Sequence, residues 1–179
     1  MRVHCSVVGI WHSLLLLHLV TSGHAQTDKP TSPLGPCASA EYRQFDFWIG
    51  DWEVRLPDGK QAGTNRISRI LNGCVIRETW SGARGSSGTS YNIYDHMRRK
   101  WHQTWVDDQG TLLQLDGEFT NGRMTLSGET VDSNGVKVLQ RIGWERTGPA
   151  QIRQLWESSR DAGKTWTPVF DGRYQRRDR

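Results

Sequence analysis

The chain has 179 residues, with 23 Lys and Arg against 19 Asp and Glu, a net charge of +4, and 9 tryptophans. So small a charge excess gives no argument for nucleic acid as a partner. There is neither a C-x-x-C pair nor a His cluster, so a redox dithiol or a zinc site has no support, and neither a metal nor a cofactor is expected.

Arg2 precedes a mostly apolar run from Val7 to Val20, centred on Leu14-Leu15-Leu16-Leu17. Gly23 and Ala25 supply the small residues of a cleavage site, which predicts a signal peptide over 1–25. The run falls short of the ~20 apolar residues of a spanning helix. The mature chain is therefore expected to be exported, periplasmic or secreted, with no transmembrane anchor. Its oligomeric state cannot be read from the sequence. Cleavage removes Arg2, Cys5 and four of the six histidines, leaving His96 and His102. Cys37 and Cys74 then form an even pair in an exported chain, which predicts a disulfide; two buried free thiols are the alternative.

Residues 26–38 are a Pro-rich leader, and a β-barrel domain is expected over 39–177. Ser39 can cap a short helix through Glu41 to Phe45, ending near Gly50. Beyond it, turn signals recur at short intervals: Asp58-Gly59, Asn72-Gly73, Ser87-Gly88, Asp95 to Arg99 and Asp108-Gln109-Gly110. They continue with Asn121-Gly122, Asn134-Gly135, Gly148-Pro149 and Asp161-Ala162-Gly163. Strands are predicted at 51–57, 62–71, 74–82, 88–95, 100–107, 111–118, 123–130, 136–146, 151–159 and 165–176. Asx-Gly turns favour hairpins, so sequence neighbours should pair antiparallel. A meander without helices removes its edges by closing. The expected fold is all-β, a ten-stranded antiparallel up-and-down barrel preceded by a short N-terminal helix; two stacked sheets are the runner-up. The basic end, Arg173 to Arg179, reads as a solvated terminus.

Gly50-Asp51-Trp52 after a short helix resembles the Gly-x-Trp of the calycin barrels, which include lipocalins, fatty-acid-binding proteins and nitrobindins. That resemblance implies a basic residue of the last strand near the Trp, with Arg173 and Arg176 as candidates. Phe45 to Val54, Gly73 to Glu78, Trp101 to Asp107 and Phe170 to Tyr174 are similar to a family of uncharacterised exported bacterial proteins. This likeness spans roughly residues 37–177 and implies a fold and an address, but no activity. Ser159 to Trp166 resembles the Asp-box hairpin of sialidases, which implies a structural turn: Asp161 accepts turn N–H groups and Gly163 takes positive φ. Nitrobindins bind haem through a late His. This chain has none after His102, and haem is not expected.

Alternate strand residues share a face. Ile76-x-Glu78-x-Trp80, Trp101-x-Gln103-x-Trp105-x-Asp107 and Gln154-x-Trp156-x-Ser158 then present one composition, large aromatics with carboxylates and amides. Aromatics usually turn inward, taking Glu78, Gln103 and Gln154 with them, while His102 faces out. Buried polar groups need partners. One reading is a filled barrel held by an internal polar network. The other is a lumen that binds a small amphipathic ligand through Glu78, Trp80, Gln103, Trp105, Gln154 and Trp156. A third puts one of these faces outward as a binding patch. Catalysis has weaker candidates. Glu78 is the acid/base group and Asp107 its partner in a hydrolase-type reaction. Ser90 lacks the Gly-x-Ser-x-Gly frame of a nucleophile elbow. A binding barrel without catalysis leads, with the enzyme and an envelope-associated structural barrel as rivals.

Overall fold

The computed structural model describes residues 36–177, so the expected signal peptide and residues 26–35 of the leader lie outside the described residues. Ten strands follow one another: β1 (Gly50–Arg55), β2 (Gln61–Ile70), β3 (Val75–Gly82), β4 (Ser87–Asp95) and β5 (Lys100–Asp107). Then come β6 (Leu112–Thr120), β7 (Arg123–Val131), β8 (Lys137–Gly148), β9 (Gln151–Ser159) and β10 (Thr167–Arg176). Each pairs antiparallel with its sequence neighbours, and β1 pairs with β10 to close the barrel. Closure removes both edges of the meander.

The turns follow their chemistry. Asn121 and Gly122 both take positive φ, 53° and 80°, as a two-residue hairpin requires. At Asp161 the carboxylate accepts the Thr165 N–H at 2.9 Å and the Thr165 hydroxyl at 2.6 Å, and Gly163 has φ 86°. Thr165 and Trp166 are thereby committed to the turn, and β10 starts two residues later than expected.

Two local expectations are corrected. Ser87 and Gly88 belong to β4, and the turn lies ahead of them, where Gly85 takes φ 89°. The expected short N-terminal helix is present as two 3-10 segments, Ala40–Arg43 and Asp46–Trp48, and it is the expected cap that is corrected. Ser39 stands at the N-cap position, but its hydroxyl donates to Glu41 at 2.5 Å and caps no backbone N–H.

These segments plug one end of the barrel. Phe45 stacks on Trp48 with centroids 4.8 Å apart and meets Trp101 and Trp144 edge-on at 5.7 and 5.2 Å. All four are at most 1% exposed. Each such aromatic removes 150–250 Å² from water, roughly 4–6 kcal/mol of gross transfer free energy. The Cys37–Cys74 disulfide ties the chain ahead of the plug to the β2–β3 turn, and Arg43 donates to the carbonyls of Cys37 and Gly73. Trp52 donates its indole N–H to Trp48 O at 2.8 Å. Of the two candidate arginines, Arg176 covers Trp52, 4.4 Å from the ring centroid, and also donates to Ile49 O. The architecture is consistent with a calycin-like fold in general.

Candidate functional site

Above the plug the barrel is open inside. Glu78, Trp80, Gln103, Trp105, Gln154 and Trp156 line one cavity of about 740 Å³, together with Leu113, Ile142, Trp144, Phe170 and Tyr174. Its mouth lies at the turns opposite the plug, where Leu56, Asp58 and Lys60 face Ala83, Arg84 and Ser86. The alternation that brings these side chains inward turns His102 outward, where its ring nitrogens meet Asp116 at 2.8 Å and Thr104 at 2.9 Å.

Glycines keep the cavity open. A Cβ on Gly88 would fall 2.3 Å from Cζ2 of Trp105, and one on Gly63 would fall 2.8 Å from the ring of Trp80. Both indoles therefore lie against the neighbouring strand instead of crossing the lumen.

Glu78, 5% exposed, is the centre of a polar network. Its Oε1 accepts from Asn65 Nδ2 at 2.6 Å and its Oε2 from Ser90 Oγ at 2.7 Å. The donors are oriented in series. Gln103 Nε2 donates to Asn92 Oδ1 at 2.8 Å, Asn92 Nδ2 donates to Ser90 Oγ at 2.9 Å, and Ser90 passes its own hydrogen to Glu78. Asn65 also donates to the Tyr174 hydroxyl, which donates to Gln154 Oε1. On the far wall Trp156 donates to Gln140 Oε1 at 2.7 Å.

Burial pushes the Glu78 carboxyl up to about 7, against the opposing hydrogen bonds from Ser90 and Asn65. Among the described residues no cation forms an ion pair with it. Burial and the nearby Glu78 charge raise the Tyr174 hydroxyl well above its usual value, so it remains a neutral donor.

Asp107 does not join Glu78 in the cavity. It ends β5, and its carboxylate accepts the N–H groups of Gln109 and Thr111 at 3.0 and 2.9 Å. Burial works against ionisation of this group. The Thr111 and Gln109 donors outweigh it and hold the carboxyl below the usual range. Among the cavity-lining residues the other carboxylate is Asp58, at the mouth and paired with Lys60 at 2.8 Å. Ser90 serves the network as a donor to Glu78 and has no His against it.

Sequence reasoning missed Asn65, Asn92 and Tyr174. Asn92 sits opposite Gln103 and Ser90 opposite Glu78 in the paired strands. Placing the β3–β4 turn correctly would have set Ser90 opposite Glu78, and the β4–β5 hairpin sets Asn92 opposite Gln103. Asn65 and Tyr174 meet only because the barrel closes. Compared with known proteins, the chain matches no family model and no curated protein.

Proposed function

We propose that this chain is an exported binding barrel that takes a small amphipathic molecule into its lumen and does not transform it. The observation that carries this reading is an aromatic-walled cavity of about 740 Å³ around a buried carboxylate that no side chain neutralises. That volume lies within the roughly 300–1,000 Å³ of ligand pockets. Half-buried indoles at Trp80, Trp105 and Trp156 supply apolar surface, while Glu78, Gln103 and Gln154 supply the few polar groups that orient a guest.

Hydrolase-type chemistry at Glu78 has less support. A general acid or base needs a reacting partner, and both Glu78 oxygens are held by Asn65 and Ser90, while Asp107 is engaged by its own loop and by the Trp105 indole. The lining contains no second deep carboxylate among the described residues. A filled, purely structural barrel fits poorly with the glycines that hold the indoles against the wall.

The test is tryptophan fluorescence and thermal unfolding of the full mature chain against a panel of lipids, aromatics and sugars. At least one class should shift the emission saturably and raise Tm, and Trp156→Ala should lose the response. An unchanged spectrum and Tm across the whole panel would sink the reading.

A further inference from the structure

The polar groups of the cavity are not balanced. Every partner of Glu78 is a donor, and the relay from Gln103 through Asn92 and Ser90 delivers hydrogens toward it, so the network is built around an ionised carboxylate. A protonated Glu78 would need Asn65 or Ser90 to reorient before either could accept from it. The unanswered groups nearby are acceptors too. Asn65 Oδ1 is buried without a partner, and no described residue donates to Gln103 Oε1. The lining donors without a partner include Trp144 Nε1 on β8, Gln154 Nε2 on β9 and the Trp80 indole on β3, and all of these are neutral. The two lining cations, Lys60 and Arg84, belong to the mouth, and Lys60 is already paired with Asp58.

An isolated buried carboxylate is strongly disfavoured unless a positive charge answers it. Aromatic faces attract cations through the ring quadrupole, indole best of all. Trp80 and Trp105 lie against the wall on either side of the strand carrying Ser90, with Glu78 and Gln103 on the same two strands. Resting on the lumen-binding reading, we infer that the guest is an organic cation: an ammonium head seated at Glu78 and Gln103 between indoles, carried on an apolar body that fills the rest of the cavity.

The inference is tested by calorimetric titration of the oxidised mature chain with three matched probes, decylammonium, decan-1-ol and decanoate. At pH 8 decylammonium should bind at least tenfold more tightly than decan-1-ol, and decanoate should bind most weakly. In Glu78→Gln the preference for decylammonium over decan-1-ol should shrink to within about threefold. Should that variant fail to fold, the pH dependence of the wild type gives the same information. Among the titratable groups lining the cavity, Tyr174 stays neutral, Asp58 is held low by Lys60, and Lys60 is raised by Asp58. Glu78, with its value near 7, is left to change charge, so decylammonium affinity should fall up to tenfold from pH 8 to pH 6 while decan-1-ol stays constant. Equal binding of the alcohol or the carboxylate at pH 8 would overturn the cation and leave the lumen site standing. Failure of all three probes to bind would also overturn it, and the lumen reading would then stand or fall on the wider panel.

Discussion

The two ends of this barrel use the same residue type for opposite purposes. At the plugged end Trp48, Trp101 and Trp144 pack on Phe45 and are at most 1% exposed, with Trp144 also bordering the cavity. At the open end Trp80, Trp105 and Trp156 are half-buried and line a cavity. The difference lies in what the chain puts opposite them. The 3-10 segments insert Phe45 and Trp48 into one end, so its aromatic surface is consumed by packing. Nothing in the described residues enters the other end, and glycines at 63 and 88 hold its rings back. Tryptophan content alone therefore says little about binding. The vacancy beside the ring decides it.

The largest expected contrast comes from truncating one indole at each end. Trp48→Ala should cost about 3–5 kcal/mol in urea unfolding, because a fully packed aromatic leaves a cavity its neighbours cannot fill. Trp156→Ala, half-exposed already, should cost roughly 1–2 kcal/mol while removing the ligand response. Similar losses at both positions would erase the distinction.

The disulfide belongs to the plugged end. Replacing Cys37 and Cys74 together by Ser should destabilise the fold by about 3–4 kcal/mol through the unfolded chain. Ligand affinity in the lumen should be unchanged, as calorimetry can verify.

At the open end, stability should depend on Glu78 ionisation. Its folded value, about 7, lies above the ordinary 4.5, so the native state favours the protonated form. The associated stability is present in full below pH 4.5 and is lost as pH rises through 7. Between pH 5 and pH 8 the loss should be roughly 2–3 kcal/mol. Chemical denaturation across that range checks it, and Glu78→Gln should flatten the profile. A further stability loss is expected at Gly88→Val. Crowding Trp105 should cost about 1–3 kcal/mol and push its ring into the lumen, weakening binding at least tenfold.

Most of the barrel was legible because hairpin turns and strand alternation are local. Asn121-Gly122 dictates its own conformation, and Trp101-Gln103-Trp105 shares a face whatever else the chain does. Ser87-Gly88 misled because glycine marks two different things: freedom in φ at a turn, or absence of Cβ where a ring must lie. At Gly88 it is the second. Asp107 misled for a related reason. Alternation assigns the last residue of a strand to a face, yet the adjoining turn had already engaged its carboxylate. The contact between Asn65 and Tyr174 spans 109 positions and depends on β1 and β10 joining, so no local pattern announces it.

The binding lumen rests on Glu78 occupying a buried position without a counter-charge. Carbon-13 NMR of its carboxyl group, assigned by comparison with Glu78→Gln, reads that state directly. The titration midpoint should lie near 7 in the free protein and move down when decylammonium is added. A midpoint near 4.5 that ignores every ligand would place this carboxylate in bulk water and contradict the account.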